Sequence, residues 1–314
     1  MALLVAMAQH WDAEPWLERF RRLGGGIEIV DARKPYDAAS ITHAAVWKPD
    51  PGMLAGLPNL RAIFNLGAGV DALLADKTLP DVPLIRIIDP DLTARMTEWV
   101  TLQALYHFRQ MPHYLARQAE AVWEQLDQPG AHEVRVGILG MGVLGRDCAD
   151  VLKRIGFQVA GWSRSGKAVE GFEMFGGEAR LPAFLARTDI LVALLPLTEA
   201  TRGVLDRKLF AGLARDGRLP GPVLINAGRG GLQVEADILA ALDDGTLAGA
   251  SIDVFETEPL PADNPLWKHP RMIVTPHVAA DSTPEGLVAG IVRDIAAFER
   301  GEELPNRVDR ATGY

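Results

Sequence analysis

Arg229, Glu258 and His277 are of types that together suit proton-coupled chemistry on an anionic carbonyl compound. A guanidinium binds a carboxylate in fork geometry and polarises a neighbouring carbonyl. An imidazole gives and recovers a proton near neutral pH, and a carboxylate beside it stabilises the charged ring and fixes its tautomer. Such a set suits a reaction in which a carbonyl oxygen beside an anionic group gains a proton. Each residue also has an ordinary reading. Arg229 alone is a surface loop arginine, Glu258 before Pro259 is a turn residue, and His277 between Pro276 and Val278 is a structural histidine. His43, His107, His113, His132 and His269 stand in no comparable setting and are expected to be structural, as is Cys148.

A second stretch speaks for a nucleotide. Gly140-Met141-Gly142-Val143-Leu144-Gly145 follows an apolar run over 134–139 and opens a helical pattern over 143–155 that ends at Gly156. Gly140 permits a tight turn, Gly142 the close approach of a pyrophosphate, and Gly145 close contact between helix and strand. The helix would aim its first amides at the pyrophosphate. At the tip of the next strand, where NAD sites usually carry an acid, the chain reads Ser163-Arg164-Ser165-Gly166-Lys167. Two cations and two hydroxyls without a carboxylate suit a 2′-phosphate, so NADP(H) is expected in preference to NAD(H). A solvated basic loop is the plainer alternative.

These residues require elements to hold them. Short apolar runs over 3–8, 27–30, 44–47, 62–66 and 84–88 predict buried strands, with helices over 15–23 and 70–75. Two longer helical stretches, 93–110 and 114–126, precede a break at Gln128-Pro129-Gly130. A second alternation places strands at 134–139, 158–162, 190–195, 223–226, 249–252 and 272–275. Alternation of this kind implies parallel sheets covered by helices on both faces, and Arg229, Glu258 and His277 all lie just after predicted strands, where ligands of such sheets bind. A final amphipathic run over 285–300 follows the completed second sheet. The expected organisation is therefore a domain of 1–98 with 286–314 returning to it, and an inserted domain of 99–285.

Composition narrows the class. The 314 residues are 48% hydrophobic and 23% charged, with no apolar run long enough to cross a bilayer and no basic segment before the N-terminal one. A single cysteine excludes an internal disulfide and suits a cytoplasmic protein. The net charge of −9, without a Lys/Arg block, argues against nucleic acid or an anionic membrane as partner.

Four further stretches carry a resemblance. Leu195-Pro196-Leu197-Thr198-Glu199-Ala200-Thr201-Arg202-Gly203, Asn226-Ala227-Gly228-Arg229-Gly230-Gly231, Asp253-Val254-Phe255-Glu256-Thr257-Glu258-Pro259-Leu260 and Thr275-Pro276-His277-Val278-Ala279 occur in this order. In them the chain resembles the D-isomer-specific 2-hydroxyacid dehydrogenases, and within that family the bacterial glyoxylate/hydroxypyruvate reductase A group. The resemblance implies an α/β protein of two doubly wound parallel-sheet domains, a Rossmann nucleotide domain inserted in a flavodoxin-like substrate domain. It implies that Arg229 holds the substrate, that His277 is the proton donor and that Glu258 is its acid partner. Cofactor contacts are implied for Gly140, Met141, Gly142, Val143, Leu144 and Gly145, for Ser163, Arg164, Ser165 and Lys167, and for Leu195, Pro196, Thr201, Ala227, Gly228, Asp253 and Ala279. Asp253 would meet the nicotinamide carboxamide. Gly67-Ala68-Gly69-Val70-Asp71 looks like the loop whose amides bind the substrate carboxylate, through Ala68 and Gly69, and Trp47 fits the tryptophan near the substrate.

The implied activity is NADPH-preferring reduction of glyoxylate to glycolate and hydroxypyruvate to D-glycerate, without a metal, in a homodimer built on residues 93–126. Rival readings are an NAD-linked dehydrogenase of D-lactate or a branched 2-oxo acid, and a non-catalytic NADP-binding regulator that would be expected to lose one of the three groups. A phosphoglycerate dehydrogenase is disfavoured because no regulatory domain follows Tyr314, and a formate dehydrogenase because Glu258 supplies the acid partner of hydroxyacid enzymes.

Overall fold

Every strand pairing within the two sheets is parallel, which explains why the strands read as unbroken apolar runs. The computed structural model describes residues 1–8 and 11–314. They divide into one unit of Met1–Leu92 with Asp281–Tyr314 and another of Thr93–Ala280. The switch points lie a few residues before 98/99 and 285/286, because the connecting helix begins at Pro90 and has no internal break to mark a boundary.

In the first unit the order is β1 (Ala2–Met7), α1 (Glu14–Leu23), β2 (Glu28–Asp31), β3 (Ile41–Trp47), β4 (Ala62–Asn65), α2 (Asp71–Leu74) and β5 (Leu84–Ile85). The strands lie in the order β2-β1-β3-β4-β5. Leu3 and Val5 point to one face, where Trp16, Leu17 and Phe20 of α1 cover them, joined by Leu287, Val288, Ile291 and Ile295 of the last helix. Leu4 and Ala6 point to the other, packed with Val46, Ile63 and Leu73. The strand expected over 84–88 shortens to two residues, which pair with β4 and also meet the C-terminal segment. Arg86 donates to Asn306 O, Val308 donates to Leu84 O, and Ile85 bridges Arg307 antiparallel.

The second unit holds α3 (Pro90–Phe108, entering from the first unit), α4 (Met111–Ala119), β6 (Arg135–Leu139), α5 (Val143–Ile155), β7 (Gln158–Ser163) and β8 (Glu173–Gly176). It continues with α6 (Leu181–Ala186), β9 (Ile190–Ala193), α7 (Arg207–Ala211), β10 (Val223–Asn226), α8 (Glu235–Asp243), β11 (Gly249–Ile252) and β12 (Met272–Val274), before α9 (Pro284–Glu299) returns to the first unit. Its sheet runs β12-β11-β10-β9-β6-β7-β8. Seven strands stand where the sequence offered six. The extra one, β8, is a four-residue edge strand with only Phe175 fully buried, so it shows no apolar run.

Met96, Val100, Ala104 and Phe108 recur every four residues along α3 and bury one stripe against Val136, Cys148 and Leu152. His107 on the same helix is buried among polar partners. Its Nε2 lies 2.8 Å from Ser251 Oγ, and that hydroxyl donates to Gln103 Oε1 at 2.9 Å. The ring occupies the space that a side chain on Gly249 would fill.

The helix expected over 114–126 stops at Ala119, and Ala121 adopts φ +54°. Residues 122–130 form neither helix nor strand and are tied back by hydrogen bonds from Leu126 N and Gln128 Nε2 to the Tyr114 hydroxyl. The large apolar groups of this run find no face of their own unit to cover, so nothing repays propagating the helix. Trp123 is 94% exposed and packs on no helix of its own unit, whereas Trp99 and Phe108 are buried.

Candidate active site

The glycine stretch lies between β6 and α5, and each glycine has a geometric reason. Gly140 adopts φ +103°, and a Cβ there would meet Leu194 O at 2.7 Å. A Cβ on Gly145 would meet Gly140 O at 2.0 Å, so turn and helix touch through backbone alone. Gly142 faces open space, exposed with its neighbour Val143 at the start of the 13-residue α5. This leaves the first-turn amides approachable by an anion. Met141 is buried against Gly161 of β7, and Leu144 is half-buried.

At the tip of β7, Ser163 accepts hydrogen bonds from Gly166 N on both its hydroxyl and its carbonyl, at 3.2 Å each. Gly166, at φ +61°, packs on Gly176 of β8. The unexpected eighth strand thus braces this loop, and Trp162 adds a bond from Nε1 to Gly177 O at 3.0 Å. Arg164, Ser165 and Lys167 are exposed on the outside of the turn. After β9, the Thr201 hydroxyl donates to Pro196 O at 2.7 Å and accepts from Thr198 N at 2.8 Å, closing the turn that begins at the buried Leu195.

Arg229 sits in the turn after β10. Asn226, fully buried, accepts from Gly228 N at 3.0 Å and donates to Arg229 O at 3.2 Å and to Gln233 Oε1 at 2.8 Å. Gln233 in turn donates to Val254 O at 2.9 Å, fastening this turn to the one after β11. Neither Asn226 nor Gln233 was singled out from the sequence, although Asn226 opens the motif. A Cβ on Gly230 would strike the Phe255 carbonyl carbon at 1.9 Å, so the two turns are in backbone contact. The half-buried Arg229 side chain donates from Nη1 to Gly228 O at 2.8 Å, and Ala227 and Gly228 are buried behind it.

The Phe255 turn carries Glu258. One carboxylate oxygen accepts from Phe255 N at 3.0 Å, and the other lies 2.8 Å from His277 Nδ1. Occupying Nδ1 in this way directs Nε2 outward as the exchangeable position. His277 itself adopts φ +56°, a region that a branched or bulky residue seldom enters without compensating contacts. Its backbone amide donates to Asp253 O at 2.8 Å. The buried Asp253 carboxylate accepts from the Thr275 hydroxyl at 2.5 Å and from the amides of Val278 and Ala279 at 2.9 Å each. Asp253 thus shapes the histidine loop as well as being the residue assigned to the cofactor. Thr275 had not been marked for this part. The pair Glu258–His277, the Arg229 turn and the Asp253 loop are assembled at the carboxyl ends of β10, β11 and β12. There they can hold an anionic carbonyl compound and exchange a proton with it. Cys148 takes no part, since burial pushes its thiol up to about 12.

In the first unit, β3 and β4 are neighbours, and Trp47 and Asn65 end them. The Trp47 ring lies on Gly67, filling the place of a side chain there, with Trp11 edge-on at 6.5 Å and Lys48 Nζ 5.6 Å from the ring centroid. Ala68 and Gly69 follow in the same loop, both partly accessible. Among the described residues no helix is long and apolar enough to cross a membrane.

Comparison with known proteins gives the kinship. Residues 101–279 match the family described as D-isomer specific 2-hydroxyacid dehydrogenase, NAD binding domain. Glyoxylate/hydroxypyruvate reductase A of Serratia proteamaculans is 40% identical over 310 residues, covering 97% of each chain. The crystal structure of the NADPH-dependent glyoxylate/hydroxypyruvate reductase of Sinorhizobium meliloti, in complex with NADP and sulfate, is 47% identical with a TM-score of 0.94. The match covers 100% of this chain and 99% of that one. A D-isomer specific 2-hydroxyacid dehydrogenase from Xanthobacter autotrophicus, in complex with NADPH and MES, is 40% identical over the same shares, also with a TM-score of 0.94.

Proposed function

The chain belongs to the D-isomer-specific 2-hydroxyacid dehydrogenase family, and we propose that it is an NADPH-preferring reductase of glyoxylate and hydroxypyruvate. The observation that carries this reading is the Glu258–His277 pair at 2.8 Å, held on a loop whose backbone is bent to present the ring. Relatives named for these substrates, and solved with NADP or NADPH bound, support it.

The second unit is the nucleotide domain and the first the substrate domain. Gly140, Gly142, Val143, Leu144 and Gly145 would hold the pyrophosphate, an assignment that fits the open face above Gly142 and the turn at Gly140. Ser163, Arg164, Ser165 and Lys167 would take the 2′-phosphate. Leu195, Pro196, Thr201, Ala227, Gly228, Asp253 and Ala279 would line the nicotinamide half. When bound, the dinucleotide supplies the hydride. Arg229 pairs with the substrate carboxylate and draws electron density from the carbonyl oxygen. His277 donates a proton to that oxygen from Nε2, while Glu258 faces the positive charge on the ring and keeps Nδ1 occupied. The loop over 67–71, with Ala68 and Gly69 in it, receives the carboxylate through its backbone amides, with Trp47 beside them. Two copies of the chain associate through residues 93–126, where Leu102, Leu115, Val122 and Trp123 are exposed at 60%, 46%, 45% and 94%.

The test is loss of absorbance at 340 nm when NADPH meets a panel of 2-oxo acids, repeated with NADH. Turnover greatest with glyoxylate or hydroxypyruvate and NADPH is expected. A stronger response with NADH and D-lactate's oxo acid would replace this reading with the NAD-linked one.

A further inference from the structure

From the buried amide at the end of β4, we infer that Asn65 is a positioning residue, which turns the Gly67–Gly69 loop so that its amides face the substrate. This inference rests on the reading of that loop as the carboxylate seat, and it names the group that makes the seat.

Asn65 is 1% exposed in a sheet whose neighbouring positions are apolar, and a side chain there needs only to be apolar to pack. Instead its Nδ2 donates to Gly67 O at 2.6 Å and to Gly69 O at 2.9 Å. Both protons of one side-chain amide therefore go to carbonyls two residues apart in the same loop. In a trans peptide the carbonyl and the following N–H point to opposite sides of the chain. Drawing the Gly67 and Gly69 carbonyls inward therefore sends the amides of Ala68 and Val70 outward, both to one side. Among the described residues no hydrogen bond takes up either amide. Two parallel donors of this kind form the concave arrangement that receives an anion. The loop is also held from its other flank, where the Trp47 ring lies against Gly67. Anchored at both places, it presents the amides without reorganising when the carboxylate arrives, and the effect should fall on binding.

The test compares Asn65→Asp, Asn65→Ala and Gly67→Ala in the full-length protein. The readouts are KM and kcat for glyoxylate and the affinity for NADPH. Asn65→Asp keeps the size but sets a carboxylate against two carbonyls. It should raise KM for glyoxylate by about tenfold or more while kcat stays within roughly threefold. Asn65→Ala should raise KM less, and NADPH affinity should not move in either. A residue that served packing alone would give the opposite order, with the isosteric aspartate milder than alanine. That order, or a KM within about twofold of wild type for Asn65→Asp, overturns the inference. Gly67→Ala tests the loop itself, because the added methyl meets the Trp47 ring at 1.9 Å and displaces one or the other. If Gly67→Ala leaves KM unchanged, the loop is not the carboxylate seat and the underlying reading fails. If it raises KM while Asn65→Asp does not, only the role of Asn65 fails. Should an Asn65 variant lose its cooperative melt, Asn65→Ser, which keeps one donor, decides. An intermediate KM supports the inference, and a wild-type KM overturns it.

Discussion

Glu258 divides its carboxylate between the His277 imidazole, at 2.8 Å, and the backbone amide of Phe255, at 3.0 Å. The acid therefore fixes the ring to the turn that also touches Gly230, next to Arg229. His277→Ala should lower turnover roughly 10²–10⁴-fold with NADPH affinity nearly intact. Glu258→Gln should cost less, because the amide oxygen can still accept from Phe255. Its signature is a fall in kcat with KM for the 2-oxo acid little changed, since a neutral amide no longer faces the charge that the ring carries. The check is the steady-state kinetics of glyoxylate reduction in both variants, and an unchanged kcat in Glu258→Gln would remove Glu258 from this role.

Arg229→Ala should differ in kind. The side chain would touch the carboxylate in the ground state and the developing oxyanion in the transition state. KM for the 2-oxo acid should therefore rise and kcat fall together. Steady-state kinetics showing a change in kcat alone would contradict contact with the bound substrate.

Under the proposed function, cofactor choice lies at the tip of β7. Arg164→Ala should raise KM for NADPH by about one to two decades, the equivalent of roughly 1.5–3 kcal/mol, and leave that for NADH almost unchanged. Ser163→Asp should shift preference toward NADH by offering an acceptor to a ribose hydroxyl and repelling the phosphate. Equal effects of Arg164→Ala on both cofactors would show that this arginine does not meet the 2′-phosphate.

The buried His107 predicts an acid-sensitive fold. Burial holds its ring down at about 4, so the folded protein keeps it neutral, whereas in the unfolded chain it titrates near 6.5. The unfolded state takes the proton first as pH falls. Stability from this group is complete above about pH 6.5 and is lost on the way down through pH 4, at up to about 1.4 kcal/mol per pH unit. His43 in the first unit is likewise held at about 4, burial outweighing the carboxylate of Glu299 at 3.4 Å. His107→Gln keeps a donor for Ser251 and removes the titration. Urea midpoints at pH 7 and pH 5 should then differ less in the variant than in wild type, and an equal loss would exclude His107 as a source of the sensitivity.

The exposed apolar run from Leu102 to Trp123 predicts association. Light scattering at micromolar concentration should report twice the 34.0 kDa chain mass. Trp123→Lys should move the particle toward that of one chain, because a cation cannot be buried unpaired in an apolar contact. A wild-type particle of 34.0 kDa would refute the homodimer.

Strands with two covered faces were legible because both sides of the pleat need apolar residues, as in Leu3-Leu4-Val5. The glycine turn was legible because its backbone contacts admit no side chain. The edge strand β8 was not, because it buries one ring and leaves no apolar run, whereas the run over 84–88 was legible but longer than the two residues of β5. Helix α4 was overrun because apolar residues 122, 123 and 126 look the same in sequence whether they face a core or solvent. The catalytic types could be named from their motifs, yet the residues that aim them could not. Asn226, Gln233 and Thr275 act through carbonyls and amides whose neighbours are set only by folding.

The contact between Gly145 and the carbonyl of Gly140 divides the nucleotide pocket into a frozen half and a free half. A side chain on Gly145 would strike the Gly140 carbonyl, and one on Gly140 the Leu194 carbonyl, so the proposed pyrophosphate end tolerates no side chain at either position. The loop from Ser163 to Lys167 is solvent-facing, braced by Gly166 on Gly176 and by backbone bonds at Ser163. A mutational library aimed at redox currency should therefore randomise Ser163, Arg164, Ser165 and Lys167 while leaving the glycines untouched. Drift between the two nicotinamide cofactors would then be a short walk along one surface turn.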